Sequence, residues 1–187
     1  MRKWMASGWF AAAVAACSVA LLTTMVLGTL AELAGLAGGL PPFDLRAGGY
    51  TLDEARDFLA ALGRDGVFFY ANVQLRVDVI YPATYAVSRG LLLWWLTQPG
   101  RPWSWATPFV LRVVLGLGLP MAAAAFDYAE NHYIALMLRD PSAIGADLVA
   151  AASFSTQAKS VLTVVVEVGW SALAIATLMC TRRRRHG

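Results

Sequence analysis

Cysteine and histidine, the residues that build disulfide frameworks and many metal sites, are nearly absent from this chain. The 187 residues include two of each. Cys17 and Cys180 belong to different apolar stretches, and His132 and His186 are far apart in the chain. This spacing excludes a disulfide framework and a Cys/His metal site. Phosphate-binding glycine loops and paired haem histidines are also missing, so we expect no cofactor.

Charged residues are also scarce, since only 14% of the chain is charged and 58% is hydrophobic. The surface of a soluble domain needs more charge than this. A helix that crosses a bilayer needs roughly 20 apolar residues, and four stretches reach that length: 8–31, 77–97, 106–126 and 161–180. The composition therefore predicts an all-α fold, a four-helix transmembrane bundle that forms one domain over residues 1–187.

Three polar segments contain basic residues but no acid: the N-terminus, the second connection and the C-terminus. They hold Arg2 and Lys3, Arg101, and the run Arg182–Arg185. Basic residues collect on the cytoplasmic side of short loops. We therefore expect both termini to be cytoplasmic, in a multi-pass protein of the bacterial inner membrane. The arginine run is interpreted as a topology signal, and no nucleic-acid partner is expected.

The first apolar stretch permits two interpretations. Val14 to Cys17 resembles a lipoprotein cleavage box, and the basic residues before it are typical of a signal peptide. However, the chain remains apolar from Ser18 to Leu30, and the stretch is longer than the apolar core of a signal peptide. These features favour an uncleaved membrane anchor.

The connection between the first two spans, residues 32–76, is the longest segment outside the apolar stretches. Thr51-Leu52-Asp53-Glu54 has the pattern of a capping box. It predicts an amphipathic helix over 52–62, ended by Gly63 and Gly66, that lies on the outer leaflet or caps the bundle. From Val67 a second helix is expected to continue unbroken into the second span.

Polar residues recur at helical spacing within the apolar stretches, so each stretch presents one polar face. The predicted stripes are Gln74, Asp78, Tyr81, Tyr85 and Arg89 in the second span; Asp127, Glu130 and Asn131 in the third; Thr156, Lys159, Thr163 and Glu167 in the fourth; and Thr24, Gly28 and Glu32 in the first.

Because successive spans run in opposite directions, several of these charged residues are expected to lie at a similar depth in the membrane. Because charges that face lipid cost several kcal/mol, they are expected to face each other inside the bundle. This predicts ion pairs between Lys159 and the carboxylates, and between Arg89 and Glu167, in a polar core that opens outward. Pro82 and Pro120 each remove a helical N–H donor and are expected to kink the second and third spans.

The polar core has three interpretations. It can be an ion-pair network that holds four helices in register, a ligand pocket built from the same residues, or a site for a hard divalent cation. In the pocket interpretation Asp78, Asp127, Glu130 and Lys159 are the candidate catalytic residues. The candidate substrate contacts are Tyr81, Tyr85, Asn131, Gln74, Arg89 and Thr156.

Four short motifs carry a resemblance that extends over most of the chain. Taken together they resemble motifs of small bacterial four-span integral membrane proteins, a family to which we attach no activity. The motifs are Phe43-Asp44-x-Arg46-x-x-Gly49-Tyr50, Asp78-x-x-Tyr81-Pro82, Asp127-x-x-Glu130-Asn131 and Thr156-x-x-Lys159.

From these features we expect a membrane protein that binds or acts on a lipid-like or amphipathic small molecule. The alternative is an accessory or assembly subunit of a larger membrane complex, with other membrane subunits as partners. A transporter is a third possibility, and with four spans it would need to form a homo-oligomer. A polar core that encloses a cavity of roughly 300 Å³ would favour the pocket over the filled network.

Overall fold

The computed structural model of the protein describes residues 8–98 and 108–186, and all regular elements within these ranges are helical. The helices are α1 (Gly8–Leu36), α2 (Leu52–Phe69), α3 (Leu75–Asp78), α4 (Tyr81–Leu96), α5 (Phe109–Val113), α6 (Leu119–Arg139) and α7 (Ala146–His186). A 3₁₀ turn at Phe43–Leu45 lies between α1 and α2.

Helices α6 and α7 pack along each other, and α4 packs against both α1 and α6. Of the described helices, α1 and the Ala146–Ile175 part of α7 are long and apolar enough to cross a membrane. This agrees with the predicted first and fourth spans. Helix α4 has 16 residues, which correspond to about 24 Å, shorter than a hydrocarbon core of about 30 Å. The structure therefore shows an all-helical fold with two candidate spans, and the four-span bundle stays a prediction.

Within the described part of the chain, three π-helical turns interrupt the helices, at Met25–Thr29 within α1, at Tyr70–Gln74 between α2 and α3, and at Val114–Gly118 between α5 and α6. A π turn adds one residue to a helical turn and so rotates the faces that follow it. From the π turn to the end of α1, the buried residues are Met25, Leu30 and Leu33. The predicted polar stripe of α1 is wrong, because Thr24, Gly28 and Glu32 are exposed.

The capping box at the start of α2 is confirmed. The Glu54 N–H donates to Thr51 Oγ1 at 3.3 Å, and the Thr51 N–H donates to Glu54 Oε2 at 2.7 Å. These bonds favour the ionised carboxylate, so the backbone of Thr51 holds the pKa of Glu54 below its ordinary value. The helix breaks at Gly63, where φ is +62°, and continues through Gly66, which therefore does not end it as predicted.

The apolar face of α2 is buried within the protein. Phe58, Leu59 and Leu62 join a core with Leu33 of α1 and Ile134 of α6. The amphipathic helix therefore packs against the other helices of the protein, which agrees with the second of its two predicted placements. Burial of such a face stabilises by about 1.5–3 kcal/mol for each large side chain.

The chain is helical from Val67 through the π turn at Tyr70–Gln74 to Asp78, so the predicted continuation into the second span is confirmed. The break lies within the span, where Pro82 was predicted to kink it. Val79 and Ile80 form a turn between α3 and α4, and Pro82 lies in the first turn of α4. Proline cannot donate the helical hydrogen bond to the Asp78 carbonyl, so the helix is interrupted here. The next carbonyl along the chain, that of Val79, accepts a hydrogen bond from Tyr128 Oη of α6 at 2.9 Å.

Pro120 has a similar position, since it lies at the start of α6 just after the π turn at Val114–Gly118. The third predicted span, 106–126, is therefore divided between α5, this turn and α6. Its first two residues, and the connection that holds Arg101, lie outside the described residues. The fourth predicted span lies within α7, which begins 15 residues earlier, at Ala146.

Candidate functional site

Lys159 of α7 is the centre of a buried group of charges. Its Nζ lies 2.8 Å from Asp127 Oδ1 and also forms an ion pair with Glu130 Oε2. The two acids belong to adjacent turns of α6 and present the same face to α7. The Glu130 side chain is 0% exposed and those of Asp127 and Lys159 are 11% and 14% exposed. The predicted pairing of Lys159 with the carboxylates is confirmed.

Thr156 lies one turn before Lys159 and holds the other oxygen of Glu130. Its hydroxyl donates to Glu130 Oε1 at 2.5 Å. Both oxygens of this carboxylate therefore have partners on α7. Asn131, the next residue on α6, is 7% exposed, and none of its amide atoms forms a hydrogen bond within the described protein.

Asp78 approaches this group from the break between α3 and α4. It is 2% exposed, and its Oδ2 atom has no hydrogen-bond partner among the described residues. Asp127 and Lys159 are close enough to act on its charge, and Asn131 is adjacent to it. The predicted convergence of Asp78, Asp127, Glu130 and Lys159 is confirmed as geometry.

A fifth charged residue, Asp44, joins the group from the 3₁₀ turn between α1 and α2. Tyr70 Oη donates a hydrogen bond to Asp44 Oδ2, while Asp44 Oδ1 is buried without a partner in the described protein. The neighbouring Phe43 ring packs against the Tyr50 ring in a tilted arrangement and against the edge of Phe58, at centroid distances of 4.7 Å and 4.8 Å. These aromatic contacts fix the turn, and thereby Asp44, over the bundle.

Sequence reasoning did not assign Asp44 or Tyr70 to the site. Helical periodicity locates residues within helices, and it contains no information about a loop that folds back over them. The one available signal was the motif Phe43-Asp44-x-Arg46 itself, an acidic residue between apolar and basic neighbours in the longest connection.

A pocket of about 340 Å³ opens beside these charges. Its polar wall contains Asp44, Asp78, Asp127, Lys159 and Tyr81, and its apolar wall comes mainly from α1. We call it the acidic pocket. The apolar residues from α1 are Leu22, Met25, Val26 and Leu30.

Several predicted substrate contacts lie outside the acidic pocket. The Gln74 side chain is fully buried and accepts a hydrogen bond from Thr29 of α1. Glu130, Thr156 and Asn131 lie behind the ion pair and do not line the pocket. Of the ten predicted site residues, Asp78, Asp127, Lys159 and Tyr81 line it.

Arg89 and Tyr85 of α4 belong to a second polar group around Glu167, which lies about 12 Å along α7 from Lys159. Arg89 Nε lies 2.5 Å from Glu167 Oε1, which confirms the predicted ion pair. The Arg89 guanidinium lies over the rings of Tyr85 and Trp170, at 5.2 Å and 5.7 Å from their centroids. Trp170 Nε1 donates to the second Glu167 oxygen at 2.6 Å.

A groove of about 530 Å³ runs beside this second group. One wall is a row of small residues on α1, and the other contains Arg89, Leu92 and Trp170. We call it the alanine groove, after Ala12, Ala15, Ala16 and Ala20. Both cavities share α1 as a wall, and the groove ends at Ala20 where the acidic pocket begins at Leu22.

The donors of the site do not form a metal-binding geometry. Among the side chains that the structure describes, no three of His, Cys, Asp or Glu are arranged to hold a metal ion. The carboxylates are directed toward Lys159, Thr156 and Tyr70 instead.

Comparison with known proteins gives no assignment. No protein-family model, no curated protein and no solved structure matches this chain.

Proposed function

We propose that the protein is an integral membrane protein that spans the bacterial inner membrane four times, with both termini in the cytoplasm. Three observations support this. Helices α1 and α7 are apolar enough to span, α4 and α6 pack between them, and the acid-free basic segments occur where cytoplasmic ends are required.

The surface of α7 supports the same placement. Val161, Val164 and Val168 form a row at helical spacing, and each is at least 60% exposed. Large contiguous apolar surfaces are uncommon on soluble monomers. In a bilayer this row would face lipid tails, and the charged face of the same helix would face the bundle.

We further propose that the acidic pocket binds or acts on an amphipathic, lipid-like small molecule. The observation that carries this proposal is the pocket itself, which combines a wall of carboxylates with an apolar wall from α1. Its volume of about 340 Å³ is within the range of small-molecule sites, roughly 300–1,000 Å³. A network filled by its own side chains would leave no such space.

The site residues then have different roles. Asp78 and Asp127 line the pocket and are the candidate ligand or acid–base groups, and Tyr81 forms part of the wall. Lys159 holds Asp127 in position. Glu130 is fully buried behind the lysine, so it acts as a positioning residue. The alanine groove extends the apolar wall along α1, where the chain of a longer ligand would lie.

A tryptophan at Ala47 tests this proposal. Ala47 is an exposed loop residue that lines the acidic pocket, so Ala47→Trp would fill the pocket without entering the core. We expect wild-type protein, purified in a neutral detergent, to carry co-purifying amphiphiles that mass spectrometry detects. The Ala47→Trp variant would carry fewer.

The matched control is Ala60→Trp, which adds the same ring at an exposed position of α2 outside the pocket. It is expected to retain the amphiphiles of the wild-type protein. Equal amphiphile content in all three proteins would contradict the proposed function.

One feature favours the accessory-subunit alternative: the buried cations are already paired with carboxylates of the protein itself. Lys159 is shared by Asp127 and Glu130, and Arg89 is held by Glu167. Such pairs can fix helix register without any ligand. The two functions predict different amounts of bound amphiphile in a variant in which both Lys159 and Glu130 are replaced by uncharged residues.

A further inference from the structure

Lys159 has little capacity left for an anionic ligand. Its ammonium group is already shared by two carboxylates, Asp127 and Glu130. An anionic head group in the acidic pocket would have to compete with both while lying beside Asp44 and Asp78, which line the same pocket. The local charge balance therefore opposes an anion.

Two carboxylate oxygens beside the pocket have no donor within hydrogen-bond geometry, although the Asn131 amide lies next to Asp78. Asp78 is 2% exposed and its Oδ2 has no hydrogen-bond partner in the described protein. Asp44 accepts a bond from Tyr70 at one oxygen only, and its Oδ1 is likewise buried and unpartnered there. A buried carboxylate without a donor is costly. Because both residues line the pocket, a donor from a ligand would bind beside these two carboxylates.

Arg46, the basic residue nearest to Asp44 in sequence, does not supply this donor. Arg46 directs its Nε to the Pro41 carbonyl at 2.9 Å. Its guanidinium lies over the Phe43 and Phe58 rings, at 5.8 Å and 5.4 Å from their centroids. The Arg46 side chain is therefore already bound to groups other than Asp44.

We propose that the ligand of the acidic pocket is an amphiphile with a primary-amine head group. Its ammonium donates hydrogen bonds to Asp78 and Asp44, and its apolar chain lies against α1. This inference rests on the proposed function and specifies the class of ligand. A quaternary ammonium is disfavoured because it has no N–H, and because such cations are recognised by aromatic cages, whereas Tyr81 is the one aromatic side chain that the described pocket wall contains.

The test uses three probes that share a twelve-carbon chain and differ in the head group: dodecylamine, dodecyltrimethylammonium and dodecyl sulfate. Each is titrated at neutral pH into the full chain, purified in a neutral detergent, and thermal stability is measured. Dodecylamine is expected to raise the melting temperature at about tenfold lower concentration than the quaternary amine, as loss of a charge-assisted hydrogen bond implies. Dodecyl sulfate is expected to give no stabilisation.

Two variants connect the effect to the site. Asp78→Asn and Asp44→Asn are each expected to raise the dodecylamine concentration for half-maximal stabilisation by about tenfold. The melting temperature of each ligand-free variant is measured as well, so that a change in affinity is distinguished from a change in stability. Asp57→Asn, an exposed acid of α2, is the matched control and leaves both measurements unchanged.

The outcomes separate this inference from the proposed function. Stabilisation by dodecyl sulfate that Ala47→Trp abolishes would retain the pocket but overturn the amine head group. Dodecylamine binding that is unaffected by both Asp→Asn variants would also overturn it. If none of the three probes stabilises the wild-type protein, both the inference and the proposed function are contradicted.

Discussion

Replacement of Lys159 by methionine removes one cation from between two carboxylates. Asp127 Oδ1 lies 2.8 Å from Lys159 Nζ, and Glu130 is paired with the same atom and is 0% exposed. Loss of one partner of a buried ion pair destabilises by about 3–5 kcal/mol, because the other charge remains buried without compensation. For a chain of this length about 1 kcal/mol corresponds to roughly 2–4 °C, so we expect a decrease of about 6–20 °C in melting temperature.

Neutralisation of the buried partner is expected to reverse most of this loss. Glu130→Gln is the appropriate second change, because Glu130 has no contact with the acidic pocket and keeps its bond from Thr156. Thermal denaturation of the purified protein would compare Lys159→Met, Glu130→Gln and the double variant. Asp57→Asn, combined with Lys159→Met, is the control and restores nothing.

The double variant also separates the two proposed functions. If the network is purely structural, restored stability restores whatever the protein does. If the acidic pocket is the functional site, the double variant is stable yet retains less co-purifying amphiphile, because Asp127 has lost its positioning lysine. We expect the second result. A melting temperature of Lys159→Met within about 1–2 °C of the wild-type value would refute the reasoning, since it would mean that the ammonium is solvated.

Two further predictions concern helix packing and topology. The Cβ of an alanine at Gly90 would lie 2.8 Å from the Gly116 carbonyl oxygen, so Gly90→Ala is expected to destabilise the protein by about 1–3 kcal/mol in thermal denaturation. An alanine Cβ at Gly169 would meet nothing within 4 Å, so the control Gly169→Ala is expected to be neutral or stabilising. Equal effects of the two substitutions would contradict the close approach of α4 to the π turn. A reporter fused after Gly187 is expected to be active only in the cytoplasm, and one inserted near Gly48 only outside; signals with the opposite assignment would contradict the four-span topology.

Much of the site was determined by residue spacing. Each stripe in the second, third and fourth predicted spans became an inward face, as Asp78, Asp127 and Lys159 illustrate. The physical reason is that helical periodicity fixes which side chains share a face, and buried charges must meet each other. The ion pairs of Lys159 and of Arg89 with Glu167 follow from these two rules.

The sequence by itself thus determined an all-helical fold, the capping box at Thr51 and the ion pairs of Lys159 and Arg89. Tertiary structure alone decided which face of the second half of α1 turns inward, because the π turn at Met25–Thr29 shifts the helical register of the residues that follow it. It also placed Asp44 over the bundle through the aromatic contacts of Phe43, since a loop has no periodicity from which its fold could be deduced. Finally, it left the acidic pocket open between α1 and α7, because an open or filled core depends on how far apart the helices pack.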